Sequence, residues 1–422
     1  MAPAIGIDFG TTNSSVAIAH ADGVVDLARF PSMGALTDAY RSLLYLEQIK
    51  ERGITSLKSW TGPAGIETYL QAETKGRLIQ SLKSFLSSRT LTTTDVFGRR
   101  QTLEDLIARI LKDLRTAAEN QFGVPIRSAV VGRPVRFVGA EKEADNEYAE
   151  GRLREAFRKA GFESVEFEME PVAAAHYYES TLDHDELIRI GDFGGGTSDF
   201  SLIHVGPGRP QDLLGNAGVG LAGDAFDAQI VRHLVSPALG AGTQMRSMDK
   251  ILPVPVWVYA KLERWHHLSL LKAKDVMEML RVVQKQALEP DKIAVLLHLI
   301  REDLGYQLHR SVQAVKCELS VQPKAAFHFT DGEIELKAEV NRKDFESWIA
   351  PELTQISTCI DSLLQTAKVK PAQVDRVFLT GGSSFVPAVR GIFETRFGAD
   401  RIRAGNEFTS VARGLALKAL RP

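Results

Sequence analysis

The sequence has few cysteines and no long apolar run, and each shortage excludes a class of protein. Two cysteines, Cys317 and Cys359, in 422 residues cannot form a disulfide framework or a cysteine-rich zinc site. No apolar run is long enough to cross a bilayer, and residues 1–3 lead into a strand without the pattern of a secretory signal. These features predict a reduced, cytoplasmic protein that makes no membrane contact.

The chain also lacks a surplus of charge of either sign. It has 51 Lys and Arg against 53 Asp and Glu, a formal net charge of −2. Such a chain has no general attraction to nucleic acid or to anionic membranes, so we expect no nucleic-acid partner. A content of 44% hydrophobic and 25% charged residues is typical of globular proteins, and the length predicts two or more domains.

Three familiar catalytic or metal-binding motifs are missing. There is no Gly-x-x-x-x-Gly-Lys-Ser/Thr loop, which excludes the Walker type of phosphate site. The absence of Gly-x-Ser-x-Gly disfavours an α/β-hydrolase. No His-x-x-x-His or Cys-x-x-Cys spacing supports a zinc site.

What the sequence does contain is a repeated glycine turn. Residues 190–199 read as a strand, Asp192, Phe193, the three glycines Gly194, Gly195 and Gly196, Thr197 and a second strand. Residues 5–14 repeat this order with Asp8, Phe9, Gly10, Thr11, Thr12 and Asn13. Successive N–H groups in such turns can bind an anion, and adjacent carboxylates suit a divalent metal. Two similar halves that face one ligand are therefore predicted.

A third turn at Gly381, Gly382 and Ser383 completes a set suited to phosphoryl chemistry, which depends on charge stabilisation and an oriented water. Asp8 and Asp192 are candidates to hold a hydrated Mg²⁺ ion, and Glu170 to orient the attacking water. Thr11, Thr12 and Thr197 are candidates to hydrogen-bond phosphate oxygens. Composition does not choose the cation that the γ-phosphate also needs.

Strand and helix patterns predict an α/β protein. Apolar residues recur at helical spacing over 103–122, with Thr102 as the cap and Gly123 as the stop. Helices are also predicted at 345–367, 387–397 and 410–420, and a loop at 237–252. Alternation of strands with helices in both halves indicates a layered α/β core.

These motifs resemble the nucleotide-binding domain of the DnaK-type 70-kDa heat-shock chaperones, within the actin-like ATPase superfamily. The resemblance is carried by residues 5–14, 81–86, 170–175, 192–199 and 379–384, with weaker matches at 131–135, 223–227 and 316–320. It implies an actin-like ATPase fold of two lobes with a nucleotide cleft between them. Lobe I is expected at 1–187 with an insertion at about 32–119, completed by the helix at about 405–422. Lobe II is expected at 188–404 with an insertion at about 228–340.

The resemblance also implies roles for residues that the motifs alone do not assign. Lys83 takes the catalytic lysine position, and the implied catalytic set is Lys83, Glu170, Asp192 and Thr197. The implied ligands are ATP or ADP and Mg²⁺, with K⁺ as a further candidate ion. Protein partners or co-chaperones are implied as well. The nucleotide-binding set comprises Gly10, Thr11, Thr12, Asn13, Gly194, Gly195, Gly196, Thr197, Gly223, Lys316, Ser320, Gly381, Gly382, Ser383 and Phe385.

The sequence departs from the family where the adenosine should bind. Cys317 and Phe385 stand where the family has base-sandwiching arginines, Gln313 replaces a glutamate and Phe408 an aspartate. Phe385 could stack on adenine, or base selectivity could be loose. The chain is also similar to the short YegD-like members, and we expect no peptide-binding domain.

Three functions remain open from the sequence. The first is slow ATP hydrolysis by a chaperone-like protein that couples nucleotide state to lobe closure and partner binding. The second is a nucleotide-dependent regulatory module without significant turnover. The third is a small-molecule kinase of the same superfamily, for which no aspartate base is evident; filament formation is a further possibility.

Overall fold

The computed structural model describes residues 3–32, 35–51, 54–72, 76–180, 182–207, 212–264, 271–332, 334–404 and 409–420. Phe408, one of the predicted family positions, lies outside the described residues. So do 405–407 and 421–422 of the segment expected to complete lobe I.

The strands, numbered in chain order, fall into several sheets and hairpins. They are β1 (Ala4–Phe9), β2 (Asn13–Ala19), β3 (Val25–Leu27), β4 (Phe30–Ser32), β5 (Ala35–Thr37), β6 (Tyr40–Arg41), β7 (Leu43–Glu51), β8 (Ile54–Thr61), β9 (Arg77–Gln80), β10 (Thr93–Val96), β11 (Arg99–Thr102), β12 (Ser128–Arg133), β13 (Ser164–Met169), β14 (Glu186–Phe193), β15 (Ser198–Val205), β16 (Asp212–Val219), β17 (Gln244–Ser247), β18 (Lys250–Pro253), β19 (Lys324–Asp331), β20 (Ile334–Asn341), β21 (Arg376–Thr380) and β22 (Ile402–Ala404).

The helices are numbered in the same way. They are α1 (Gly62–Gln71), α2 (Leu103–Phe122), α3 (Glu143–Lys159), α4 (Glu170–Glu179), α5 (Gly223–Ile230), α6 (Ser236–Ala238), α7 (Val256–Leu262), α8 (Lys274–Gln286), α9 (Pro290–Arg301), α10 (Gly305–Val321), α11 (Arg342–Trp348), α12 (Ala350–Thr366), α13 (Pro387–Phe397) and α14 (Ser410–Leu420), with 3₁₀ turns at Leu82–Phe85, Pro371–Gln373, Gly382–Phe385 and Ala399–Arg401 and a π-helical stretch at Val231–Val235.

Two compact units divide the chain. The first comprises residues 1–222, 355–384 and 389–422, and the second comprises 223–354 and 385–388. This division differs from the expected lobes, whose boundaries stay a prediction.

The first unit contains two sheets of the same topology. Their strand orders are β3-β2-β1-β12-β13, with β6 added beside β2, and β16-β15-β14-β21-β22. In each sheet the first three strands in sequence are antiparallel. The fourth strand pairs parallel with the central strand, and the fifth pairs parallel with the fourth. Asp8 opposes Ser15 and Asp192 opposes Asp199, in each case a residue seven positions later (15 − 8 and 199 − 192). The α/β class and the predicted repeat are therefore confirmed.

Helices α4 and α14 lie between these two sheets. Their apolar side chains share one buried cluster with Val130 of the first sheet and with Ile188, Ile190 and Ile203 of the second. On the outer face of the first sheet, α2 and α3 cover a larger buried cluster. Because β14 alternates, Arg189 points to the opposite face of the second sheet, where it is fully buried 5.1–5.3 Å from the rings of Phe200, Phe393 and Phe397.

Helix α14 packs against its neighbours backbone to backbone, which only glycine allows. A Cβ atom on Gly414 would lie 1.6 Å from the carbonyl oxygen of Ala173 in α4, and one on Gly6 would lie 2.3 Å from the amide nitrogen of Ala416. The helix is thereby held against both α4 and β1.

We expect Gly414→Ala to destabilise the protein by about 3 kcal/mol or more, because an added methyl group must push two backbones apart. Denaturant unfolding measures the change. The matched control is Gly151→Ala in α3, where an added Cβ meets nothing within 4 Å. That change should stabilise by about 0.5–1 kcal/mol through helix propensity alone. Equal effects of the two substitutions would contradict the tight packing of α14.

Several predicted elements agree with the structure and two do not. Helices at 103–122, 387–397 and 410–420 are confirmed, and Thr102 caps α2 through a hydrogen bond from the amide of Asp105. The predicted loop at 237–252 is wrong, since it contains β17 and β18. The predicted single helix at 345–367 is broken after Trp348, because Pro351 at the start of α12 cannot continue a preceding helix.

The second unit contains α5, the helices α7–α10 and two hairpins. Strands β17 and β18 form one hairpin, and β19 and β20 the other, with residue pairs from Lys324–Asn341 to Asp331–Ile334. Alternating side chains of β19 are buried, and the strand packs on α10.

Candidate functional site

The first two glycine turns of the first unit approach each other. A Cβ atom on Gly196 would lie 3.4 Å from the hydroxyl oxygen of Thr11. The second turn is closed by a 3.0 Å hydrogen bond from the Gly194 amide to the Thr197 carbonyl. In the first turn, a Cβ atom on Gly10 would lie 2.2 Å from the Asn13 carbonyl oxygen, so this position requires glycine. Residues 10–13 and 194–197 are all at least partly exposed, so an anion can approach both turns.

A neighbouring segment braces the first turn. The Ser42 amide donates to the Thr12 carbonyl at 2.9 Å, and the Arg41 guanidinium donates to the side-chain oxygen of Asn13 at 3.2 Å. Asn13 therefore already uses its amide oxygen within the fold.

The third turn is attached to the second. Gly381 has φ +79°, and a Cβ atom there would lie 2.1 Å from the Phe193 carbonyl oxygen. The hydroxyl of Ser383 donates to the Gly194 carbonyl at 3.3 Å, and that of Ser384 to the Gly381 carbonyl at 2.7 Å. Ser383 is buried and holds the two turns together, while Gly382 is exposed.

A buried ion pair lies at this site. The Lys83 ammonium donates to Oε1 of Glu170 at 2.6 Å, and both side chains are buried. Lys83 lies in the 3₁₀ turn Leu82–Phe85, which follows Ser81 with its left-handed φ of 52°. Glu170 is the first residue of α4, followed by a proline suited to that position. Burial alone would lower the pKa of Lys83, but the charges of Glu170 and Asp8 outweigh it and raise that pKa.

Two further carboxyl groups lie where burial and the charge of Glu170 disfavour their ionised forms. Burial, reinforced by Glu170, raises the pKa of Asp8 to about 8. The pKa of Asp192 is raised to about 6 for the same two reasons, although the Thr380 hydroxyl donates to its Oδ1 at 2.7 Å. The charge of Glu170 raises the pKa of both aspartates, and the charge of Lys83 opposes that rise in both.

Asp199 joins the second turn to the chain that follows β12. Its Oδ1 accepts the amide of Val135 at 2.8 Å and that of Arg136 at 3.3 Å, and the Thr197 side chain also hydrogen-bonds it. Burial and the charge of Glu170 raise the pKa of Asp199 well above its ordinary value. The side chain of Thr197 is therefore engaged within the protein as well as placed at the turn.

The donor set fits Mg²⁺. This ion prefers oxygen ligands, keeps several waters and takes few carboxylates, and Asp8 and Asp192 supply two. Among the described residues no three Asp, Glu, His or Cys side chains lie close enough to hold an ion by themselves. A divalent cation would also offset the charge that raises the pKa values of both aspartates.

The predicted adenosine-side residues lie in the second unit. The Lys316 ammonium is 2.8 Å from Oδ1 of the fully buried Asp227 and donates to the Gly223 carbonyl at 3.2 Å. The Ser320 hydroxyl donates to the Lys316 carbonyl at 3.0 Å. Lys316 and Ser320 thus make bonds within their own unit, and any role in nucleotide binding stays a prediction.

Phe385 is 50% exposed and is not a core residue. In the same unit Cys317 is exposed and Gln313 is half-buried. The partial exposure of Phe385 is compatible with the predicted contact with a base, which stays a prediction.

A family model described as Hsp70 protein matches residues 46–249 and 301–420. The chain belongs to the Hsp70 family. It is similar to the chaperone protein DnaK of Thermosipho africanus, with 26% identity over 417 residues that cover 98% of this chain and 58% of that protein. It is also similar to a chaperone protein DnaK of Thermus thermophilus, with 26% identity over 430 residues, 99% of this chain and 61% of that protein.

The chain therefore spans about three fifths of the length of these DnaK relatives. Hsp70-family membership confirms the predicted family and, with the duplicated sheets, the actin-like ATPase fold class. Members of this family bind ATP or ADP with Mg²⁺. No helix among the described residues is both long and apolar enough to pass through a bilayer.

Sequence reasoning missed the roles of Thr380 and Asp199 in this Hsp70 site. Thr380 lies within the segment 379–384 and hydrogen-bonds Asp192, because β21 pairs parallel with β14 and brings the two residues into register. Asp199 carried a usable signal. It directly opposes Asp192, and like charges in that position destabilise a hairpin unless another interaction compensates.

Proposed function

We propose that this Hsp70-family chain binds Mg-ATP and hydrolyses it slowly, and that nucleotide state controls the separation of its two duplicated sheets and its binding of protein partners. The observation that carries the proposal is the buried Lys83–Glu170 pair, beside Asp8 and Asp192, where two glycine turns meet. Charge stabilisation and water orientation are what phosphoryl transfer requires from a protein.

Each residue has a distinct task in this proposal. Backbone N–H groups of 10–12 and 195–197 bind phosphate oxygens, and the hydroxyls of Thr11 and Thr12 add side-chain donors. Asp8 and Asp192 hold the hydrated Mg²⁺, which when bound neutralises phosphate charge. Lys83 stabilises the negative charge that develops on the γ-phosphate.

Glu170 orients the attacking water. Its Oε1 is fixed by Lys83, so the carboxylate cannot rotate freely, and Oε2 is the oxygen that we assign to the water. Glu170 is the first residue of α4 and is followed by Pro171. This rigid start of the helix holds the carboxylate in place.

Further parts of the proposal rest on the family. We place the protein in the cytoplasm, consistent with its two unpaired cysteines, and assign it co-chaperone-type protein partners. Gly223, Lys316, Ser320 and Phe385 are proposed to form the adenosine side.

Calorimetric titration of the nucleotide-stripped protein with ADP and with GDP tests the proposal. We expect ADP to bind in the presence of Mg²⁺ and GDP to be rejected, and EDTA to weaken ADP binding, because two carboxylates would otherwise face the phosphates unshielded. Phosphate release from ATP without any acceptor then separates hydrolysis from a kinase reaction. Binding of neither nucleotide would overturn the proposal and leave the turns as a scaffold of an interaction module.

A further inference from the structure

The hairpin of β17 and β18 carries large apolar side chains that are exposed to solvent. Met248 at its tip is fully exposed, and Ile251 and Leu252 in β18 are exposed as well. Val256 and Trp257, at the start of α7 a few residues further along the chain, are also exposed. Exposed apolar side chains grouped in this way mark a candidate site of interaction with a protein or a membrane.

The hairpin is exposed on both of its faces. Ile251 opposes Arg246, and Leu252 opposes Met245. Opposed residues of an antiparallel pair share a face and successive residues alternate, so Ile251 and Leu252 point to opposite faces. Since every residue of β18 is exposed, neither face of this strand is covered by the second unit.

The hairpin is anchored along β17 to the residues that follow α8. Met245 forms an antiparallel bridge with Ala287, and the Leu288 amide donates to the Gln244 carbonyl at 2.8 Å. The tip and β18 therefore project from the unit. A flat protein surface would cover only one face of such a two-stranded ribbon. Lipid would surround both faces of a ribbon inserted into a bilayer.

Cations flank the apolar side chains. Arg246 and Lys250 are exposed on the hairpin, and the Lys261 ammonium lies 5.0 Å above the Trp257 ring. Asp249 is the acidic residue at the tip, and the nearby Glu263 is paired with Arg232 at 2.6 Å. This local positive surplus contrasts with the chain's net charge of −2.

We propose that the β17–β18 hairpin inserts its tip into the surface of anionic phospholipid membranes. Met248, Ile251 and Leu252 enter the region of the acyl chains, and Trp257 lies at the level of the headgroups, where aromatic rings are favoured. Arg246 and Lys250 pair with lipid phosphates and carboxylates. The expectation of no membrane contact rested on the lack of a long apolar run and on the net charge of the whole chain, and neither of these detects a local cluster. The proposal is independent of nucleotide binding.

Co-sedimentation of the purified full chain with vesicles tests it. The probes are vesicles of phosphatidylcholine alone and of phosphatidylcholine with about 30% phosphatidylserine. We expect sedimentation with the anionic vesicles, at least about fivefold less with neutral ones, and weakening by salt. Met248→Glu/Ile251→Glu should abolish binding, and Lys250→Glu should reduce it about tenfold. The matched control Val321→Glu changes an exposed valine of α10, outside the hairpin, and should bind as the wild type does.

A second readout reports insertion directly. An environment-sensitive dye on Met248→Cys, in a Cys317→Ser background, should brighten with anionic vesicles, because its surroundings become apolar. Absence of sedimentation with either vesicle overturns the proposal. So does equal loss of binding in Val321→Glu, or a concentration-dependent oligomer that Met248→Glu/Ile251→Glu dissociates, since the hairpin would then be a protein interface.

Discussion

Replacing Lys83 by alanine is expected to slow ATP hydrolysis by about 100-fold or more while Mg-ATP affinity changes only a few-fold. The ammonium is buried beside the carboxylates of Glu170 and Asp8, where low exposure to water strengthens its field. The backbone N–H groups of the glycine turns do not depend on it, so phosphate binding persists. Single-turnover phosphate release and calorimetry measure the two effects separately.

The same substitution has a structural cost that must be separated from the chemical one. Lys83→Ala leaves the Glu170 carboxylate buried without its partner, which costs about 3–5 kcal/mol of stability. Lys83→Ala/Glu170→Gln removes that charge and should recover much of the stability but no turnover. Lys159→Ala breaks a partly exposed ion pair with Asp105 and should change neither the stability nor the turnover much. Wild-type turnover in Lys83→Ala would show that the assignment of Lys83 is wrong.

Asp8→Asn is expected to stabilise the metal-free protein and to abolish tight Mg-ATP binding. Burial and the neighbouring Glu170 disfavour the Asp8 carboxylate, whose pKa is raised to about 8. A neutral amide of the same shape removes that penalty, and we expect Tm in EDTA to rise by roughly 5 °C. Calorimetry should show at least a 100-fold loss of Mg-ATP affinity, about 2.7 kcal/mol, because a proposed ion ligand is missing.

The gain in stability should depend on pH in a defined direction. The folded-state pKa of Asp8, about 8, lies above the ordinary value of 3.8, so the folded protein holds this proton more tightly than the unfolded chain. Stability from this group is complete below pH 3.8 and is lost as the pH rises through 8. The advantage of Asp8→Asn should therefore grow towards pH 8 and then level off. The control is Asp249→Asn, at an exposed position outside the site. Destabilisation by Asp8→Asn would contradict the expected cost of ionising the buried Asp8 carboxyl group beside Glu170.

Local signals in the sequence predicted much of the fold. Helix α2 has its cap, its apolar spacing and its stop within one stretch of chain, and α13 and α14 carry similar spacing, so their bounds follow from nearby residues. The paired aspartate-glycine turns were predictable because both repeat the same order of aspartate, phenylalanine, glycine and threonine. Both turns belong to equivalent strands of the duplicated sheets.

Other features depend on residues far apart in sequence and could not be predicted. Lys83 and Glu170 are 87 positions apart, and nothing local indicates that a short 3₁₀ turn meets the start of α4. Arg189 lies in an apolar strand, and only the folded chain shows the three phenylalanine rings around it. The β17–β18 hairpin escaped prediction because its exposed strands lack the alternation of apolar and polar residues by which strands are recognised.

The position of Asp199 limits how the two sheets can move. Its carboxylate belongs to the second sheet but holds the amides of Val135 and Arg136, which follow the first. The bond from Ser383 to Gly194 ties the second and third turns to each other. If the two sheets separate as we propose, we expect the hinge to lie at Asp199, because its bonds to the amides of Val135 and Arg136 join the sheets there. The distance between Asp8 and Asp192 would then report the separation of the two sheets, and a pair of spin labels, one on each sheet, would measure it.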